Sequence, residues 1–288
     1  MKGGRLMKKQ MEDTLEMGDI SAGVTTLEKM KSPSEVKVKG GKIYSFFKRT
    51  FDIFSSGFVL LLFGWFILLL MFIKWAEDAG AKSYKLEIKP ATEKTKKKYK
   101  SKDGREWKIK IIPDKSGTKD STVHGPIYTS DRVGKGGKIF KFHKIRSMCK
   151  GAEAMKAQLI AYGINEADEP AFKIKDDPRI TKFGKFLRKT SLDELPQIWD
   201  IFIGRLSVVG PRSPIPEEVL EYNEYQRHRL DVKGGLLCTW QITKDRNKLT
   251  FDEWVDLDID YIEHRSIGLD LKIIFKAFWF VLTDHSGE

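Results

Sequence analysis

Seventeen consecutive residues, 57–73 (GFVLLLFGWFILLLMFI), carry no charge, and Lys74 closes the run. Such a stretch must be hidden in a core or in lipid, because each Å2 of apolar surface left in water costs about 25 cal/mol. A spanning helix needs about 20 apolar residues, and taking in Phe54 brings the segment to just that length. Lys48 and Arg49 precede it and Lys74 follows it, so both flanks are basic. Positive flanks stay on the cytoplasmic side. A helix that enters one leaflet and returns satisfies this at both ends, whereas a single span satisfies it at one. Both shapes stay open for the anchoring segment, residues 41–78.

The remaining chain divides around that anchor. Residues 1–40 are rich in Met, Lys and Gly, with a short helical pattern at 7–17 and no secretory cleavage pattern, and read as a flexible basic extension. Residues 79–124 hold 14 basic and 6 acidic residues, a balance of +8 out of +12 for the whole chain. Within this insertion, 84–88 and 107–111 alternate apolar and charged side chains, the pattern of two half-buried strands. A small β lobe on lipid head groups and a solvated loop both fit. Charge this concentrated favours an anionic membrane surface as neighbour, and no nucleic-acid-binding motif is present, so nucleic acid is not expected as a partner. Cys149 and Cys238 lack metal or disulfide spacing, which suits a reduced cytoplasmic setting. The last segment, 125–288, is long enough for one sizeable domain.

The chemistry concentrates in residues 179–216. A basic, half-apolar helix pattern leads to two adjacent carboxylates, Asp193 and Glu194, then to a Pro-interrupted apolar helix and a Gly-Pro-Arg loop. Ser191-Leu192-Asp193-Glu194 has capping-box spacing, so helix capping alone would explain both acids. Pro196 is tolerated only in a first turn. The helix is therefore expected to start near 193–195, with both acids half solvated at its mouth. Arg179, Lys182, Lys185, Arg188, Lys189, Arg205 and Arg212 surround the pair in sequence. Two carboxylates ~4 Å apart repel by about 4 kcal/mol at an effective dielectric near 20. Keeping both ionised calls for Mg2+ or a ring of cations, a combination suited to a phosphoanhydride substrate. A solvated charge cluster is the plainer alternative.

SLDELPQ at 191–197, GRLSVVGPRS at 204–213 and KIRSM at 144–148 resemble the bacterial sugar transferase family. These are monotopic polyprenol-phosphate phosphoglycosyl transferases, which begin the assembly of O-antigen, capsule, exopolysaccharide or glycoprotein glycans. The likeness covers roughly 46–73 and then 125 to the C-terminus. It implies an α/β fold, mostly α with a small sheet, in a membrane-anchored domain. That domain would have an N-terminal re-entrant or single membrane helix and interfacial amphipathic helices. The family's re-entrant break carries a proline; here Phe63-Gly64 stands near that point with no proline in the run.

The resemblance also implies the reaction: a phosphosugar passes from a UDP-sugar to undecaprenyl phosphate, with release of UMP, at the cytoplasmic face of the inner membrane. Asp193 would be the nucleophile, forming an aspartyl-phosphosugar intermediate, and Glu194 would hold Mg2+ or assist the second step. Lys144, Arg146, Arg188 and Arg212 would carry substrate phosphate charge, with Asp258, Asp270 and Gln241 in support. Membrane lipids are implied as neighbours, and a homo-oligomer is compatible with all of this.

Other stretches fit less sharply. Lys144 and Arg146 alternate along a predicted strand and so share a face, suited to paired phosphate contacts or to guarding an exposed edge. The Gly-rich basic turn at 132–138 lacks P-loop spacing. Residues 217–230 read as a polar scaffold helix. VKGG at 232–235 has Gly234 where the family turn has proline, and Arg212-Ser213-Pro214 departs from the family's Pro-Arg-Pro. Trp240 fits a base or sugar contact, or simply core. Phe275, Phe278, Trp279 and Leu282 fall at helical spacing, an aromatic face for the interface plane. A catalytically inactive membrane scaffold of this fold would be expected to lack the acid pair. An anionic-lipid-binding protein would leave the acids and the Gly-Pro-Arg loop without a task.

Overall fold

The structure, a computed structural model, describes residues 36–79, 84–114, 125–165, 174–243 and 249–283. Most of the 1–40 extension, the end of the basic insertion and Lys244 to Arg246 lie outside the described residues, as does the side chain of Leu282.

The apolar run forms the middle of one helix, α1 (Lys42–Glu77). At 1.5 Å per residue its 36 residues reach about 54 Å, and it continues through Gly64. The insertion follows as β1 (Tyr84–Pro90), β2 (Tyr99–Lys100) and β3 (Glu106–Pro113). These pair antiparallel in the order β1-β3-β2, with Tyr84 opposite Pro113 and Tyr99 opposite Trp107. The described part of the insertion is thus a three-stranded sheet. Next come the hairpin strands β4 (Ile127–Val133) and β5 (Ile139–Ile145), then α2 (Ala152–Ala161), α3 (Lys182–Lys189) and α4 (Gln197–Phe202). The chain closes with β6 (Ser207–Val209), α5 (Pro216–Leu220), α6 (Glu224–Arg227), β7 (Gly235–Leu237), α7 (Phe251–His264) and α8 (Ile267–Thr283). Helices mixed with small sheets match the expected class. The scaffold helix read over 217–230 is instead two short helices and a 3-10 turn, because Asn223 starts a new helix with a capping box to Gln226.

The chain forms two compact units. Among the described residues, one takes those up to Phe54, Asp131–Lys141 and Ile201–Thr283; the other takes those in Ser55–Ser130 and Phe142–Asp200. In the first, β6 and β7 pair in parallel, and their Val209 joins a core with Val232, Ile259, Ile262 and Ile273. The first turns of α1 are tied to this unit by charge. Asp52 accepts from Ser207 Oγ at 3.0 Å and Val208 N at 2.9 Å, and Arg49 donates at 2.7 Å to both Ile201 O and Phe202 O. On α8, Ile267, Leu271, Phe275, Phe278 and Trp279 are exposed, so the predicted aromatic face is open as far as it is described.

In the second unit the remainder of α1 buries one stripe. Leu70 packs with Ile145 of β5 and Leu187 of α3, while Leu61, Trp65, Leu68 and Phe72 stay exposed. Lys74 is fully buried because Glu77 and Asp78 neutralise it at 2.6 and 3.3 Å. The β lobe packs its inner side chains, among them Leu86 and Ile109, onto Met155 and Leu159 of α2. This part of α1 thus lies directly on the strand and helix that lead to the candidate cations Lys144 and Arg188.

Candidate active site

The acid pair is built by a turn. Thr181 starts α3 by accepting from Gly184 N at 2.9 Å. Gly184 lies so close to Ser147 O that any Cβ there would overlap that backbone oxygen. This contact brings α3 against the end of β5, and Arg188 Nε donates to Ser147 Oγ at 2.9 Å. After α3 the chain reverses through Ser191, whose φ of 55° is left-handed, and winds into a 3-10 turn over Leu192–Glu194. Pro196 then stands just before α4. The capping box that the Ser191 spacing offers does not form: Ser191 is left-handed instead of extended, and its side chain makes no cap bond. The reversal, not the cap, aims the acids.

The two acids part company in burial. Asp193 is only 8% exposed, where half solvation was expected, because the 3-10 turn directs it inward. Glu194 keeps 31% of its side chain exposed and takes Lys144 Nζ at 2.6 Å. Burial holds the Asp193 carboxyl above the usual carboxylate range. The Glu194 charge pushes the same way, and Lys144 and Arg188 pull against it. Lys144, Arg188, Asp193 and Glu194 therefore form one electrostatic group, with Arg188 still open to solvent.

Arg146 goes elsewhere. Its backbone N donates to Pro126 O at 2.8 Å. Its buried guanidinium bonds Asp78, just past the end of α1, and Nε and Nη1 have no hydrogen-bond partner among the described residues. Lys144 and Arg146 thus leave the strand towards different partners. Arg179 is also drawn off, paired with Asp177 at 2.6 Å. Ser147 lies inside the KIRSM stretch but was given no role of its own, and Asp78 was passed over, although an acid at the end of an apolar helix is itself a signal.

The other predicted residues belong to the first unit. Arg212 is half-buried in the Gly-Pro-Arg loop, which is held by Gly210 N to Leu237 O at 3.0 Å and Gly235 N to Pro211 O at 2.9 Å. Arg229 Nη2 donates to Arg212 O at 3.3 Å, while its Nε reaches Asp258 at 2.9 Å and its Nη1 the Tyr222 hydroxyl at 2.6 Å. Asp258 therefore orients an arginine, but the arginine is Arg229, which sequence reading passed over. Burial pushes the Asp258 carboxyl up to about 6, against the pull of Arg229. Asp270 accepts from Lys48 and Tyr44, each at 2.8 Å, and from Tyr261 at 2.7 Å, tying α8 to α1. Gln241 accepts from Cys238 N at 2.9 Å, and Trp240 stacks on Trp254 with centroids 5.0 Å apart.

Mg2+ takes one or two carboxylates and completes its shell with water and substrate phosphate oxygens. Adjacent Asp193 and Glu194 offer that donor type, and the repulsion that raises Asp193 is the kind a cation relieves. Among the described residues no group of three or more His, Cys, Asp or Glu gathers into a protein-only metal site.

A profile of the family described as bacterial sugar transferase matches residues 118–284. The galactosyl transferase CpsE of Streptococcus agalactiae is 46% identical over 55% of this chain and 35% of its own length. The undecaprenyl-phosphate galactose phosphotransferase of Salmonella typhimurium is 40% identical over 55% of this chain and 34% of its own length. The exopolysaccharide production protein ExoY of Sinorhizobium fredii is 37% identical over 52% of this chain and 67% of its own length. The chain therefore spans about a third of the first two relatives and two thirds of the last.

Proposed function

This chain belongs to the bacterial sugar transferase family, and on that premise we propose that it transfers a phosphosugar from a UDP-sugar to undecaprenyl phosphate. Asp193 attacks the β-phosphorus, the bond from that phosphorus to the bridging oxygen breaks, and UMP leaves with the oxygen. The phosphosugar then rests on the Asp193 carboxylate. An oxygen of undecaprenyl phosphate attacks the same phosphorus, expels the carboxylate and yields the diphosphate-linked lipid sugar. Splitting one transfer into two steps in this way is the general advantage of a covalent intermediate.

The observation that carries this reading is the buried Asp193 grouped with Lys144, Arg188 and Glu194. A desolvated carboxylate is a stronger nucleophile than a hydrated one, and Lys144 and Arg188 oppose the protonation that burial favours. Arg188, held at Nε by Ser147, has its remaining donors to offer to phosphate oxygens. Glu194 would hold Mg2+, which supplies charge neutralisation for the diphosphate. Arg212 carries diphosphate charge by the family resemblance.

The long apolar helix anchors the protein, with the catalytic residues on the cytoplasmic side of the inner membrane. The packing of that helix through Leu70 onto Ile145 and Leu187, neighbours of Lys144 and Arg188, supports a position for those residues near the lipid boundary, where the acceptor phosphate lies. A re-entrant course satisfies the basic flanks at both ends, and a single span at one. The names of these relatives point to galactose, so UDP-galactose is the first donor to try.

The test is a single-turnover assay on the purified protein with UDP-galactose and no lipid. One UMP per enzyme is expected, and Asp193→Asn should abolish it. UMP that appears only after undecaprenyl phosphate is added would mean direct displacement and would remove the intermediate.

A further inference from the structure

The β1-β3-β2 sheet has two unlike faces. Leu86, Ile88, Trp107, Ile109 and Ile111 point inward onto α2. Side chains alternate along a strand, so the charged outward set on β1 and β3 is Lys85, Glu87 and Lys89 with Glu106, Lys108 and Lys110, and Lys100 joins them on β2 opposite Glu106. All five lysines are exposed. Lys89 stands directly across from Lys108, and like charges in that relation destabilise a sheet. Glu87 answers Lys89 at 2.7 Å and Asp114 answers Lys85 at 3.6 Å. Lys108 and Lys110 share the charge of Glu87, and Lys100 shares that of Glu106, which also pairs with Lys98 at 2.7 Å. A folded face on which five lysines outnumber two glutamates is one that a negative surface completes.

We propose that this outer face lies on the anionic head groups of the membrane that holds α1. The tether favours lipid over a soluble polyanion. Asp78 and Tyr84 are six residues apart in sequence, a reach of at most about 20 Å, and Tyr84 N is fixed to Lys150 O at 3.2 Å. The exposed apolar surface of α1 continues to Trp75, next to that tether. Electrostatic attraction reaches about 8 Å in physiological salt, so a basic face must be held near the head groups to feel them. The lobe ends before residue 118, where the family match begins. It is an addition to the shared domain, free to serve position at the membrane rather than chemistry.

This inference rests on α1 being the membrane anchor, and the experiment separates the two. The full chain with Lys108→Cys, labelled there with a fluorophore, is placed in vesicles bearing a head-group quencher; Cys149 and Cys238 are buried. The vesicles are phosphatidylcholine alone or phosphatidylcholine mixed with phosphatidylglycerol. Quenching about threefold stronger in the mixed vesicles, reversed by high salt, is expected. It should disappear when Lys85, Lys89, Lys100 and Lys110 are all replaced by Gln. Equal quenching in both compositions overturns the proposal, as does a lipid-dependent signal that survives the four substitutions. A signal in phosphatidylcholine that grows with protein density points to a second copy and also overturns it. Protein that stays in the pellet after an alkaline wash while showing no lipid dependence sinks the lobe alone. Protein that washes off sinks the anchor and the lobe with it.

Discussion

Ser213 Oγ occupies the space that a Cβ on Gly234 would need. Both are positions where the family resemblance implies a proline, and they are neighbours. The loop that carries Arg212 and the turn that carries Lys233 meet at this one contact.

That contact predicts unequal costs for two adjacent glycines. Gly234→Ala meets a hydroxyl that can rotate, with Pro211 O left at 3.2 Å, so a loss of about 1 kcal/mol is expected, mostly recovered by adding Ser213→Ala. Gly235→Ala would run into the Gly210 backbone nitrogen, which cannot rotate away. It should cost about 3 kcal/mol or more. Thermal unfolding of the three variants in one detergent measures both; equal losses would contradict the contact.

The acid limb of the UMP-release profile should report Asp193. Its carboxyl is held above the usual range, so activity falls on acidification sooner than for an exposed Asp. Lys144→Met removes a cation that lowers that pKa and should move the limb to higher pH. Glu194→Gln removes a charge that raises it and should move the residual limb to lower pH. Shifts in the same direction would show that Asp193 is not the titrating group.

Stability carries the opposite sign. A carboxyl whose folded pKa is raised favours the protonated form, so its ionisation costs stability as pH rises through the folded value. Asp193→Asn should therefore raise the melting temperature at pH 7. The gain should vanish in acid, below the usual carboxylate range, where the wild-type group is protonated folded and unfolded.

Asp258→Asn leaves the Arg229 guanidinium buried without its counter-charge. A loss of about 3–5 kcal/mol is expected, read as a lowered denaturant midpoint. Because Arg229 also holds Arg212 O, activity should fall further than the unfolded fraction explains.

Ser191 turns the chain with a φ that only glycine adopts freely. Ser191→Gly should keep or slightly raise stability, while Ser191→Val should cost about 1–3 kcal/mol and misdirect Asp193. Matched unfolding and UMP-release measurements on the two variants distinguish a turn from a side-chain role.

The sequence by itself determined the elements whose cause is local. Seventeen apolar residues require a long helix, alternation at 84–88 and 107–111 requires strands, and SLDELPQ with GPRS identifies the family. Tertiary structure alone decided the partners: Arg146 with Asp78, Asp258 with Arg229, Asp270 with Lys48, Ser213 against Gly234. It also decided that Asp193 is buried while Glu194 stays half open. The division has one physical reason. Period and backbone preference are written within a few neighbouring residues. A charge finds its partner, by contrast, only after the chain closes loops of tens to hundreds of residues, and no single sequence records which closure wins.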